Sequence, residues 1–257
     1  MPIVLLISEN RSGTFTGMVG IVVPAYKEGL GIQDLLKKIL LAVPDAKVVV
    51  VDDSPDTATA DAVNSMNLGN IKLIRRDSKQ GRGSAVIAGL RYLLEQNCSQ
   101  FIEIDADLSH PPSQIQELLR KLESENLGLV IASRYLPESS ILNWPIQRRI
   151  FSKAANFLAR TLLAVPITDY TNGFRCYSRA AAQKIVDSCG RLGAGFIALS
   201  EILVNLYYTG YKVGEVPTIF ANRVRGESSV SSKEIFGALA GLWKIYLHKR
   251  TLQGRQS

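Results

Sequence analysis

Short apolar runs alternate with helix-patterned segments from residue 19 to residue 132, and most runs end in acidic, basic or glycine-rich sequence. Residues 19–23 form the first run. Residues 30–43 follow, with Ile32, Leu35, Leu36, Ile39 and Leu40 on one helical face. The alternation continues with strands at 47–51, 71–75, 101–104 and 129–132. Helices are expected at 57–66, 81–96 and 112–125. Strands that alternate with helices form a mainly parallel sheet covered on both faces. Ligands of such sheets bind beyond the carboxyl ends of the strands. The polar residues here fall at those ends: Glu28, Asp53, Asp105 and Arg134 each lie just past a run, so this fold gathers them along one rim.

The second half is less regular. Helices are expected at 148–165, 198–208 and 235–249, with a strand at 213–220. Two of these helices are both apolar and basic, and the charge balance follows them. Residues 1–133 hold 13 Lys+Arg against 16 Asp+Glu, whereas residues 134–257 hold 17 against 7. A basic excess confined to one half points to an anionic partner such as phosphate, nucleic acid or an acidic membrane surface. Helices 148–165 and 235–249 either lie at such a surface or pack on the sheet. No run reaches the roughly 18 apolar residues of a membrane span. Cys98, Cys176 and Cys189 are too widely spaced for a disulfide framework or a zinc cluster, so a reducing, cytoplasmic setting is expected. Residues 1–17 read as a dispensable extension, 18–234 as the main domain and 235–257 as a C-terminal amphipathic helix with a basic tail.

Asp105-Ala106-Asp107 carries the strongest chemical signal. Two carboxylates two residues apart at a strand end can face the same way, and they repel unless a cation lies between them. Hard oxygen ligands suit Mg²⁺ or Mn²⁺, whose shell phosphate oxygens commonly complete. Taken alone, the pair also fits a turn or helix cap. Asp52-Asp53-Ser54-Pro55-Asp56 is a second acidic cluster, in which Asp56 suits a cap and Asp53 is free to accept a bond from a nucleotide base. Lys79-Gln-Gly-Arg-Gly-Ser-Ala85 opens a helix as a phosphate-cradling loop or a tight turn would. Glu201 stands mid-helix among leucines, either facing solvent or buried for a purpose. Neither histidine supports a nucleophilic triad or a metal cluster.

In their order and spacing these segments resemble glycosyltransferase family 2, within it the polyprenol-phosphate mannosyltransferases. The matching pieces are Val23-Pro-Ala-Tyr-Lys-Glu28, Asp52-Asp-Ser-Pro-Asp56, Lys79-Gln-Gly-Arg-Gly-Ser-Ala85, Asp105-Ala-Asp-Leu-Ser-His-Pro-Pro112 and Ser133-Arg-Tyr135. They continue with Trp144-Pro-Ile-Gln-Arg-Arg-Ile-Phe-Ser152, Thr171-Asn-Gly-Phe-Arg175, Glu215-Val-Pro-Thr-Ile-Phe-Ala-Asn-Arg223 and Gly226-Glu-Ser228. The resemblance implies a GT-A fold and a nucleotide-sugar donor held by Pro24, Tyr26, Glu28, Asp53, Lys79, Ala106 and Arg223. It implies Mg²⁺ or Mn²⁺ on Asp105 and Asp107, and a polyprenyl phosphate bound by Arg134, Arg148 and Ser152. Glu201 would hold a sugar hydroxyl or steady the site.

The expected reaction is inverting transfer of a hexose, mannose from GDP-mannose foremost, at the cytoplasmic membrane face. UDP-glucose, or a soluble or glycan acceptor, is the alternative within the family, and a non-catalytic nucleotide-sugar-binding membrane scaffold the alternative outside it. A small membrane-spanning anchor subunit is a further expected partner, and nucleic acid is not. Three positions depart from the family pattern. Ser109 stands where Gln often assists the metal, Ala198-Leu-Ser-Glu201 lacks the usual Gln, and Ser229 replaces a common Lys.

Overall fold

A computed structural model describes residues 17–192, 196–221 and 232–254. Its centre is a seven-stranded sheet. The strands are β1 (Val19–Ala25), β2 (Lys47–Asp52), β3 (Ile71–Arg75), β4 (Gln100–Glu103), β5 (Leu129–Ser133), β7 (Arg175–Ser178) and β8 (Val213–Pro217), in the order β3-β2-β1-β4-β7-β5-β8. A second, two-stranded sheet pairs β6 (Ser140–Leu142) with β9 (Ile219–Ala221). The helices are α1 (Gly31–Ala42), α2 (Ala58–Ser65), α3 (Arg82–Glu95), α4 (Ile115–Ser124), α5 (Ile146–Leu163), α6 (Arg179–Ser188), α7 (Phe196–Tyr208) and α8 (Ser232–Gln253).

Strands β1, β2 and β5 form where the sequence is apolar on both faces. Every residue of β2 after Lys47 is buried, as expected of a parallel strand sandwiched between helix layers. On one face α1 buries Ile32, Leu35, Leu36 and Ile39, and α4 buries Ile115, Leu118, Leu119 and Leu122. On the other, α3, α5, α6, α7 and α8 share one core that includes Leu90, Leu163, Ile185, Leu203, Ile245 and Leu252. Gly89 of α3 lets that helix approach the sheet, because a β-carbon there would overlap Val22. All three cysteines are buried and free. Among the described residues no helix is long and apolar enough to cross a membrane.

The sheet is parallel except at β7, which runs antiparallel to both β4 and β5. This reversal places the start of β7, and the loop before it, on the same rim as the ends of β1, β2, β4 and β5. The single strand expected at 213–220 divides at Pro217, after which Thr218 turns back to Ser133 O (3.1 Å) and β9 leaves for the small sheet. Proline lacks the amide needed to continue a ladder. Residues 1–16 of the expected extension lie outside the described residues, as do Arg223, Gly226-Glu-Ser228 and Ser229.

Candidate active site

The rim is built by cross-links between strand-exit loops. Ser54 Oγ accepts the amide of Lys27 (2.8 Å), and Thr59 Oγ1 accepts those of Glu28 and Gly29 (3.1 Å each). The turn after β1 is therefore tied to the turn after β2, and Tyr26 is left 37% exposed at the edge. Lys79 lies with Nζ 4.0 Å from the Tyr26 ring centroid, so two residues far apart in sequence meet here. Asp53 is not free, as the sequence had led us to expect. Both its oxygens are taken by Arg76 (2.5 and 2.6 Å), and Oδ2 also accepts the amides of Gln80 and Gly81 (3.0 and 3.2 Å). Asp53 thereby shapes the glycine-rich loop that leads into α3.

Beyond β4 the acidic pair stands at the switch between β1 and β4, where strand order reverses and doubly wound sheets open a crevice. Asp105 is partly exposed, and its Oδ1 accepts from Arg82 Nε at 2.8 Å. Asp107 Oδ1 accepts the Ser109 amide at 3.0 Å, with Leu108 between them in the left-handed region (φ 59°). The Ser109 hydroxyl is buried and has no hydrogen-bond partner among the described residues. No group of three or more His, Cys, Asp or Glu side chains able to hold a metal occurs among them. A hard divalent cation fits what is present: two partly exposed carboxylates and an unpartnered hydroxyl on the same loop.

His110 follows on that loop, wedged between Phe174 and Phe220 (ring centroids 5.2 and 4.9 Å apart), with neither ring nitrogen partnered. Burial lowers its pKa to about 4, against the pull of Asp105, and the ring is neutral near pH 7. Arg134, Asp107 and Asp169 also act on it, which ties the acidic pair to the next cluster.

Arg134, just past β5, is buried and forked onto Asp169: Nε to Oδ2 at 2.7 Å and Nη2 to Oδ1 at 2.8 Å. Burial raises the Asp169 pKa and Arg134 lowers it, and the net effect is below the ordinary carboxylate value. Arg134 and Arg148 both lie over the Trp144 ring, at 5.5 and 4.2 Å, and Ser152 Oγ meets the Tyr135 hydroxyl at 2.6 Å. Arg134 and Arg148 thus meet at Trp144, while Ser152 meets Tyr135, over whose ring Arg134 also lies at 5.6 Å. A cleft of about 380 Å³ opens beside them, lined by Arg134, Lys153 and Arg160 with Tyr135, Asn156 and Thr168, and by no acid among the described residues.

Glu201 is buried and not solvent-facing. Its oxygens accept the amides of Gly190, Arg191 and Leu192 (3.0, 3.1 and 3.3 Å), so it steadies the loop after α6. Sequence reasoning passed over Arg82, Glu103, His110, Asp169 and Tyr177. The available signal was Arg82 within Gly-Arg-Gly at a helix start, where a side chain projects toward the neighbouring strand end.

A mainly parallel sheet with a carboxylate pair at its switch point, completed by an antiparallel strand, defines a GT-A glycosyltransferase. A solved structure of glucosyl-3-phosphoglycerate synthase from Mycobacterium tuberculosis with Mn²⁺, uridine diphosphate and phosphoglyceric acid shares the fold. Its TM-score is 0.65 at 17% identity, over 91% of this chain and 78% of that one. Residues 20–186 match the model of "Glycosyl transferase family 2". Over 222 residues the chain is 34% identical to polyprenol monophosphomannose synthase of Mycolicibacterium smegmatis, covering 85% of this chain and 83% of the relative. It is 32% identical to undecaprenyl-phosphate mannosyltransferase of Micrococcus luteus, over 82% and 86%. Against dolichol-phosphate mannosyltransferase of Pyrococcus furiosus it is 34% identical, over 88% and 63%. The chain belongs to glycosyltransferase family 2.

Proposed function

We propose that this enzyme moves mannose from GDP-mannose onto a polyprenyl phosphate at the cytoplasmic face of a membrane, with inversion at the anomeric carbon. The names of the three relatives support the sugar and the lipid class. One observation carries the acceptor half: the cationic cleft at Arg134, Lys153 and Arg160 adjoins the outward side of α5, where Ile146, Ile150, Phe151, Phe157 and Leu158 are exposed. A lipid phosphate needs that combination of a cationic pocket and an apolar approach.

Asp105 and Asp107 would hold the divalent cation, with Ser109 nearby, and the cation would neutralise charge on the departing nucleoside diphosphate. Tyr26, Lys79 and the loop shaped by Asp53 frame the nucleotide, with Pro24, Glu28 and Ala106 along the same edge. Arg223 is assigned to the donor by family resemblance alone. Arg148 and Ser152, with Arg134 behind them, orient the acceptor phosphate. A phosphate monoester loses its second proton near pH ~6, so the attacking oxygen is already ionised at pH 7 and requires no general base. Neutral, enclosed His110 and fully engaged Glu201 agree with a site that has none. A small spanning subunit would supply firmer anchorage than α5 and α8 alone.

The test is a panel of radiolabelled nucleotide-sugars, GDP-mannose and UDP-glucose included, given with polyprenyl phosphate and followed by lipid extraction. Label from GDP-mannose in the lipid phase is the expected result. Label from UDP-glucose alone reassigns the donor, and label confined to water-soluble products overturns the acceptor assignment.

A further inference from the structure

Asp105 already faces a cation that belongs to the protein. Arg82, the first residue of α3, spends all three guanidinium nitrogens at the base of the site. Nε donates to Asp105 Oδ1 (2.8 Å), Nη1 to the Glu103 carboxylate and Nη2 to the Gly173 carbonyl (3.1 Å). Glu103 is completely buried and also accepts from the Tyr177 hydroxyl at 2.6 Å. The guanidinium is therefore locked: moving it off Asp105 strips a buried carboxylate of its counter-charge. Gly173 keeps the room. A β-carbon at that position would overlap the guanidinium and come within 3.1 Å of Asp105 Oδ2.

A divalent cation on Asp105 must share that carboxylate with Arg82 and lie within its field. The charge-assisted bond from Nε is roughly twice as strong as a neutral one, and like charges a few ångström apart oppose one another. A nucleoside diphosphate changes the balance, because its anionic oxygens attract the metal and the guanidinium together. Resting on the reading of Asp105 and Asp107 as metal ligands, we infer that Arg82 holds down the affinity for a bare divalent cation and makes metal binding depend on the donor diphosphate. Cation and nucleotide-sugar are then taken up as a unit. Arg82 is a positioning residue in this scheme, acting through Asp105. Coupling of this kind is reciprocal, so the metal strengthens nucleotide binding by the same factor.

The test is direct Mn²⁺ binding, followed by electron paramagnetic resonance of the free ion, with and without GDP or UDP. The proteins are the full chain as wild type, R82L, R82L/E103Q and D105N. The double variant removes the charge stranded at position 103 and leaves net charge unchanged, so it isolates the loss of the contact on Asp105. Circular dichroism verifies its fold. The wild type is expected to bind Mn²⁺ at least about tenfold tighter with nucleotide than without, within the usual span of coupling factors. Both Arg82 variants should bind Mn²⁺ alone about tenfold tighter than the wild type, with coupling to nucleotide correspondingly smaller. Unchanged affinity for the bare ion in folded R82L/E103Q overturns the role of Arg82 and leaves the metal site standing. A wild type that binds no Mn²⁺ even with nucleotide, or a D105N protein that binds like wild type, overturns the metal site and this inference with it.

Discussion

Arg134 and Arg148 approach the same tryptophan, and Arg134 is also forked onto the buried Asp169. Replacing Arg134 by alanine strands Asp169 at 0% exposure, and an uncompensated buried charge costs about 3–5 kcal/mol. Replacing Arg148 removes a stack over Trp144 worth about 0.5–1 kcal/mol and leaves that ion pair intact. R148A is thus the cleaner probe of the acceptor. We expect its KM for polyprenyl phosphate to rise about tenfold, the equivalent of one charge-assisted bond, with the donor KM and the melting temperature held. Equal rises in both KM values would remove Arg148 from the acceptor site. R134A is expected to melt well below the wild type. His110 gives a pH-dependent prediction. Its folded pKa, about 4, is below the ordinary 6.5, so between these values the unfolded chain binds a proton that the folded protein refuses. Stability from the neutral ring is complete above pH 6.5 and is lost as pH falls toward 4. H110F has no proton to bind in either state. From pH 7 to pH 5 the wild type should therefore lose about 2 kcal/mol more unfolding free energy than H110F, as measured by urea titration. Parallel losses would show that the ring titrates normally in the fold.

At the scale of elements, α5 reverses the usual amphipathic order. Its inward side holds Asn156, Ala159 and Leu163, and its outward side exposes Ile146, Ile150 and Phe157 at 73%, 63% and 74%. Arg149, Lys153 and Arg160 lie on the same helix, and under the proposed function they would reach headgroups while the apolar arc entered the lipid boundary. α8 behaves in mixed fashion: Ile245 and Leu252 are buried, whereas Trp243 and Leu247 are exposed. Of the two possibilities read from sequence, packing on the core accounts for one side of each helix, and the exposed side is what the proposed membrane contact would use. The double variant I150E/F157E is expected to lose flotation with vesicles of anionic phospholipid while its stability stays within about 0.5 kcal/mol, since neither side chain packs on the core. Vesicle binding equal to wild type would move the membrane contact elsewhere. Sequence patterning missed the ten-residue α6 and the short strands β6 and β7. β6 and β7 have three and four residues, too few to display a period, and β7, with Arg175 and Ser178 in its sequence, is buried only because β4 and β5 flank it.

On the scale of the molecule, Ile245 and Leu252 of α8 join the core that α3 and α7 also line, which predicts that this helix unfolds together with the sheet. Single-tryptophan variants test this. W243F leaves Trp144 near the rim, and W144F leaves Trp243 on α8. Both are expected to report the same urea midpoint, as a cooperative domain requires. An earlier midpoint from Trp243 would make the C-terminal helix a separate unit. The parallel half of the fold was legible because burial on both faces writes β2 as an uninterrupted valine run and β1 and β5 as mainly apolar ones, and burial on one face writes α1 and α4 with helical spacing. The rim was legible too, since strand ends are marked by the residues that stop the runs. Asp105, Asp107, Glu28 and Arg134 could therefore be picked out from the chain alone. What each rim residue bonds was not. Asp53 is claimed by Arg76, Asp105 by Arg82, Arg134 by Asp169 and Glu201 by the 190–192 backbone, through hydrogen bonds spanning between 9 and 35 residues of sequence. No local pattern encodes such pairings. They exist because the sheet order, with β7 inserted in reverse, brings together strand ends that the chain keeps apart, and because buried charges at those ends must find partners in one another.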